Sequence, residues 1–308
     1  MDKNSIDWIG PIPALITPFD ADGNIDEAAY RRNVELCIGY GLTALLPNGC
    51  TGEFWAQTME ERKRVVEICL DAADGRLPVI AGTGAIRTPD VIELTEHAKD
   101  AGCAGVMILP PFFVKPSEDD IVAHYQAVSD AVDTPIMLYN IPANAVNALV
   151  PELVDRLADI ENVVAIKESS ADFNNFYKTM QVAGDRIHVI LGPTTLYGAA
   201  AFALGAPGYV DTSPNFWGAE AVEFFYAARD GKMDRALELQ RKGLKIRELV
   251  IGSGRNMYCS TKAIMNMLGL PGGYPRLPLK PLGEPHLTEL RKGIESLGLA
   301  KPEAAAAQ

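Results

Sequence analysis

Short apolar runs rich in β-branched residues alternate along this chain with longer stretches whose apolar positions recur at helical spacing. The runs 13–17, 44–47, 79–81, 105–109, 135–139, 163–167, 188–191 and 208–211 read as eight strands. Between them lie amphipathic stretches such as TMEERKRVVEICLDAADG and SEDDIVAHYQAVSDAV, opened by Thr or Ser caps and several of them closed by Gly. From the second strand onward, strand ends follow one another at steps of 20 to 35 residues. A (β/α)8 barrel averages about 31 residues per unit. Strands alternating with helices at that step imply parallel pairing with right-handed crossovers. An open doubly wound sheet is the rival, but it carries a Gly-rich fingerprint after its first strand, where this chain has ITPFDADG.

The expected architecture is therefore an α/β (β/α)8 TIM barrel over residues 1–230, with a C-terminal helical extension over 231–308 packed on it. In the extension, MDRALELQRKGLKIRELVI, STKAIMNMLG and LTELRKGIESLG read as helices. The proline-rich LPGGYPRLPLKPLGEP reads as an extended connector, and the tail KPEAAAAQ as a frayed end.

Composition narrows the functional classes. With 308 residues, 48% hydrophobic and 22% charged, the chain is neither disordered nor fibrous. Its net charge of −12 would repel a polyphosphate backbone, so nucleic acid is not an expected partner. No run of 18 apolar residues occurs, and no membrane span is expected. Five cysteines without a C-x-x-C pair suggest neither a disulfide framework nor a zinc cluster. The first twenty residues carry acids and prolines where a secretory signal needs an apolar stretch, so the expected location is cytoplasmic. The four histidines are scattered, so no metal is expected.

In a barrel of this kind the chemistry sits at the C-terminal ends of the strands. Two ends there are unusual. NVVAIKESS finishes on Lys167, in phase with Val163 and Ala165, and PIMLYNIP finishes on Tyr139, in phase with Met137. The two lie 28 residues apart, one βα unit, so the side chains come from adjacent strands at one height. A lysine in that position is either a cation snorkelling to the rim or a desolvated amine able to attack a carbonyl. Directly after the second strand, Pro47-Asn-Gly-Cys-Thr-Gly-Glu53 forms a glycine-rich turn. Its amides and the Thr51 hydroxyl suit a carboxylate or phosphate, although such a turn can also do no more than reverse the chain. Cys50 reads as a buried thiol or a nucleophile, and Gly252–Asn256 as a helix-breaking connection or a phosphate loop.

Gly49-Cys-Thr-Gly-Glu53, Tyr139-Asn-Ile-Pro142, Ile166-Lys-Glu-Ser169 and the ending Gly269-Leu-Pro-Gly-Gly…Arg276-Leu-Pro-Leu-Lys-Pro281 together resemble the dihydrodipicolinate synthase / N-acetylneuraminate lyase family. The motifs keep the family's order over roughly residues 10 to 282. The resemblance implies Schiff-base chemistry on 2-oxo acids without metal or organic cofactor, on a barrel that is usually a homotetramer. It makes Lys167 the Schiff-base lysine and Tyr139 the proton shuttle. Thr51, with Gly49, Cys50 and Gly52, becomes the carboxylate cradle.

Departures from the family pattern are equally specific. The position that carries an arginine in the synthases is Asn144, the first hydroxyl of the loop is Cys50, and Phe113 stands where a neighbouring subunit's tyrosine is expected. Thr194 and Thr195, after Gly192, replace the acidic residues of sialic-acid lyases. Asp211, following Val210, is a carboxylate where a small residue is usual, either facing the pocket or held by backbone amides. Substrate-binding candidates are accordingly Gly49, Cys50, Thr51, Gly52, Asn144, Gly192, Val210 and Asp211.

The expected function is a Schiff-base lyase or dehydratase of a small 2-oxo acid, of 2-keto-3-deoxy or 4-hydroxy-2-oxo type, or of its cyclic imine, and not a lysine-pathway synthase. The alternatives are a 1-pyrroline-4-hydroxy-2-carboxylate deaminase, a 4-hydroxy-tetrahydrodipicolinate synthase, a metal-dependent barrel aldolase, and a non-catalytic 2-oxo-acid sensor.

Overall fold

The computed structural model describes residues 1–300. Seven strands form one sheet among them: β1 (Gly10–Pro13), β2 (Ile80–Gly82), β3 (Gly105–Ile108), β4 (Ile136–Asn140), β5 (Val163–Glu168), β6 (His188–Leu191) and β7 (Gly208–Asp211). All neighbours are parallel, in the order β1-β7-β6-β5-β4-β3-β2.

The run expected as a second strand, 44–47, fills the gap between β1 and β2 through isolated parallel bridges only, Ala14 with Leu46 and Leu45 with Val79. The backbone N–H groups of Leu15 and Ile80 donate to the carbonyls of Leu46 and Leu45, at 3.0 and 2.9 Å. These bonds close the (β/α)8 barrel. The ladder is thin for a covalent reason. At the two ends of β1, the N–H groups of Gly10 and of Ala14, just past it, bond toward the β7 side, to the carbonyls of Pro207 and Asp211. The side facing 44–46 carries Pro11 and Pro13, which have no N–H to give. The first strand also lies earlier than its expected 13–17. Its pairing with β7 starts at Gly10, and the chain leaves the ladder after Pro13.

Alternation along the strands divides two apolar layers. Ile12, Ile80, Met107, Met137, Ala165, Ile190 and Val210 fill the barrel interior. Val106, Ile108, Leu138, Ile166, Val189 and Tyr209 face the helices. Eight longer helices flank the strands: Glu27–Gly39, Met59–Ala73, Thr88–Ala101, Glu118–Ala131, Pro151–Leu157, Phe173–Ala183, Thr194–Ala203 and Ala219–Arg229. Thr58 with Glu61 and Ser117 with Asp120 form capping boxes at two of them.

Three further helices follow, Met233–Ile251, Met257–Met267 and Glu284–Ser296, and the first packs on Thr194–Ala203 and Ala219–Arg229. Gly252–Asn256 is a connection: a 3₁₀ turn whose Ser253 and Gly254 take φ of 54° and 73°, followed by Asn256 as the cap of the next helix. The tail expected to fray, 301–308, lies outside the described residues. No helix among the described residues is long and apolar enough to cross a membrane.

Candidate active site

The strand register sets the site. Tyr139 of β4 pairs directly with Lys167 of β5, and the Lys167 Nζ lies over the Tyr139 ring, 4.1 Å from its centroid. Both side chains continue the interior series, Met137 to Tyr139 and Ala165 to Lys167, and they are 3% and 5% exposed. That burial rules out the snorkelling reading. With little water to solvate an ammonium, burial lowers the lysine pKa to about 8, against the opposing pull of Cys50 and Asp211. Burial also pushes the phenol of Tyr139 well above its ordinary range.

The glycine-rich loop forms a 3₁₀ turn, Cys50–Gly52, with Gly49 at its start. The Gly52 and Glu53 amides bond back to the Gly49 and Cys50 carbonyls at 3.0 Å each. The first N–H groups of the turn have no acceptor within it. Asn48 and Glu53 take φ of 56° and 55°, which bends the chain on both sides of the turn. A Cβ on Gly82 would stand 2.2 Å from the Asn48 carbonyl oxygen, so only glycine lets β2 pass this close. The Thr51 hydroxyl bonds that of Thr212, just past β7, at 2.7 Å. The Cys50 thiol faces Lys167, Tyr139 and Tyr258, and burial raises its pKa, so it is a thiol and not a ready thiolate.

The other candidates divide. Asp211 is held by backbone amides: one oxygen accepts from the Thr212 and Ser213 N–H groups at 2.6 and 3.3 Å, and the buried Oδ2 lies beside the Thr194 hydroxyl. Burial raises its pKa. Asn144 is exposed and donates to the Tyr258 hydroxyl at 3.3 Å. Gly192 is a packing position. Its N–H bonds the Glu168 carbonyl at 2.8 Å, and a Cβ there would fall 1.8 Å from Ser169 Oγ. Val210 is core in the barrel interior.

Two cavities flank the pair. One, little larger than a water molecule, is lined by Gly49, Cys50, Met107 and Tyr139; the other, of about 50 Å³, is lined by Thr195, Asp211 and Thr212. Gly192 and Val210 line neither. Among the described residues no group of His, Cys, Asp and Glu is arranged to hold a metal ion.

Sequence reasoning missed two features. Tyr258 sits in the first turn of Met257–Met267, stacks obliquely on Trp55 at 5.8 Å and reaches Cys50. Beginning that helix at Ser260 leaves Tyr258 outside it, just after Gly252–Asn256, and the Asn256 cap is the signal that includes it. Second, Glu53, at the end of the cradle loop, is fully buried against Lys262 of the same helix. Its other oxygen accepts from the Arg276 amide at 3.2 Å. The C-terminal segment thereby anchors the loop.

Comparisons with known proteins place the chain in a family. The model of the dihydrodipicolinate synthetase family matches residues 7–297. A curated 4-hydroxy-tetrahydrodipicolinate synthase from Methanothrix thermoacetophila is 37% identical over 287 residues, 92% of this chain and 94% of the relative. One from Pelobacter propionicus is 36% identical over 290 residues, 94% and 99%. Among solved structures, a dihydrodipicolinate synthase from Acinetobacter baumannii, complexed with pyruvate, superposes with a TM-score of 0.90 at 29% identity, covering 95% of this chain and 100% of that one. A prophage protein of the dihydrodipicolinic acid synthase family from E. coli K12, also with pyruvate, gives 0.91 at 29% identity, covering 96% and 100%. The chain belongs to the dihydrodipicolinate synthetase family. It is an enzyme, a lyase of that family on a TIM barrel.

Proposed function

We propose that the protein is a Schiff-base-forming lyase or dehydratase of a small 2-oxo acid, of 2-keto-3-deoxy or 4-hydroxy-2-oxo type, or of its cyclic imine. The observation that carries this reading is an amine of lowered pKa lying on a phenol inside an apolar barrel end. At neutral pH roughly a tenth of Lys167 is unprotonated. That amine adds to C2 of the 2-oxo acid and water leaves, giving an iminium. The iminium draws the electron pair of the C3–C4 bond in an aldol cleavage, or of the C3–H bond when a group leaves C4. Tyr139 carries the proton between these positions. Thr51 and the free amides of its turn hold the C1 carboxylate. A homotetramer, without organic cofactor or metal, completes the reading.

Borohydride in the presence of pyruvate should add mass at Lys167. The trapping rate should rise with pH up to about 8 and level off above it, because only the unprotonated amine attacks. A folded protein with Lys167 unmodified overturns the reading. Tyr139→Phe should lower kcat about 10²- to 10⁴-fold while pyruvate is still trapped at Lys167. Loss of trapping along with turnover would assign the phenol to carbonyl activation and not to proton transfer.

A second reading, 4-hydroxy-tetrahydrodipicolinate synthase, is supported by the names of the curated relatives. Against it stand Asn144 in the guanidinium position, which leaves no bidentate partner for a second carboxylate there, and Cys50 in the hydroxyl position. Condensation of pyruvate with aspartate semialdehyde at a rate exceeding every 2-oxo acid cleavage would decide for it.

A further inference from the structure

The reactive pair is sealed from water, yet its chemistry needs protons to come and go. Tyr139 and Lys167 are almost fully buried, and the cavity beside Tyr139 is little larger than a water molecule. A proton that Tyr139 takes from the substrate has no column of water to leave by.

One set of side chains runs outward from the phenol. Cys50, 6% exposed, packs with Tyr139 in the barrel interior and lines the same small cavity. Tyr258, half-buried, packs against that cluster from the C-terminal extension, its ring placed by Trp55 at 5.8 Å. The Cys50 sulfur is a hydrogen-bond partner of both phenols. Asn144, at the surface, donates to the Tyr258 oxygen at 3.3 Å, which leaves the hydroxyl hydrogen of Tyr258 for the sulfur. Exposure therefore rises at each step from Tyr139 through Cys50 and Tyr258 to Asn144.

The three groups have the chemistry of carriers. A phenol and a thiol can each give up one proton while taking another. The thiol is ordinarily a stronger acid than a phenol. The Lys167 cation also works against the rise that burial gives the Cys50 pKa. When the set is one proton short, the charge rests on sulfur, in the middle and beside a positive group.

We infer that Cys50 and Tyr258 form a proton path between Tyr139 and solvent, completed within one chain by the C-terminal extension. As the Lys167 iminium becomes an enamine, the C3–H electron pair forms the C2–C3 double bond and the C–N π pair returns to nitrogen. The C3 proton goes to the Tyr139 oxygen, the Tyr139 hydroxyl proton to Cys50, the thiol proton to Tyr258, and the Tyr258 proton to water. Protonation of the enamine runs the same steps backward. Cys50 and Tyr258 thus act through Tyr139. This inference rests on the Schiff-base reading, and the experiment separates the two.

Pyruvate is the probe, because its iminium loses and regains C3 protons without a second substrate. In deuterium oxide, proton NMR would follow deuterium entering the pyruvate methyl group, with borohydride trapping at Lys167 measured on the same samples. Tyr258→Phe should slow deuterium entry about tenfold or more while trapping stays near the unaltered rate, because a proton that cannot leave returns to C3. Cys50→Ala should do the same. Cys50→Ser should restore exchange, since a hydroxyl carries protons as a thiol does. Deuterium entry in Tyr258→Phe as fast as in the unaltered protein overturns the path. So does an equal loss of trapping and exchange in a folded Tyr258→Phe variant, which marks a structural role. Cys50→Ser no faster than Cys50→Ala overturns it as well, and decides the matter even where Tyr258→Phe fails to fold. An unaltered protein that pyruvate and borohydride leave unmodified removes the Schiff-base reading and the path together; trapping with unimpaired exchange in Tyr258→Phe removes the path alone.

Discussion

Lys167→Met should give a protein that no longer reacts with any 2-oxo acid yet is more stable than the original at neutral pH. Loss of turnover follows from loss of the nucleophile and should exceed about 10⁴-fold. The gain in stability follows from the pKa. The lysine falls from 10.5 to about 8 on folding, so between those values the unfolded chain binds a proton that the folded one does not. Below about pH 8 the fold carries the full cost of a desolvated cation; above 10.5 it carries none. A shift of this size is worth ~3 kcal/mol. Urea unfolding should therefore show the variant ahead by up to that amount at pH 7, with the lead fading as the pH climbs through 8 toward 10.5. A variant less stable at pH 7 would mean that the ammonium is well solvated, and the lowered pKa would go with it.

Lys262→Met should destabilise strongly. Glu53 is fully buried, and its partner Lys262 is 1% exposed, held also by the Tyr274 carbonyl at 2.8 Å and by the Phe19 ring, 4.4 Å from the ammonium. Removing the cation alone leaves a carboxylate in a dry site, a change that costs about 3–5 kcal/mol. Adding Glu53→Gln should recover most of the loss, because the neutral amide needs no counter-charge. Denaturant midpoints of the two single variants and the double check this, and additive losses would contradict it. Because Glu53 ends the turn that presents Thr51, the single variant should also weaken trapping by pyruvate more than the double does.

The barrel was legible because its period-two runs and their spacing are local properties of the sequence, and so was the pairing of Tyr139 with Lys167, one βα unit apart. What escaped depends on contacts across long separations. The thin ladder at 44–46 follows from prolines on one side of a strand, which matters only once the neighbour on that side is known. Gly192 was a candidate through the family pattern after β6, and the close packing of Ser169 that requires a glycine there appears only in three dimensions. Tyr258 reaches Cys50 across some two hundred residues of chain, and no motif joins them.

The prolines of β1 bear on association as well as on closure. A closed barrel has no free edge, and opening one exposes two rows of backbone groups that can template pairing with another chain. Here the seam between β1 and 44–46 is the thinly laddered place to open, and the donors that β1 would offer there are missing at Pro11 and Pro13. The residues that make this seam thin also strip the β1 edge of N–H donors, so a barrel caught ajar presents that edge as acceptors only, the Pro11 and Pro13 carbonyls that now take the Thr43 and Leu46 N–H groups.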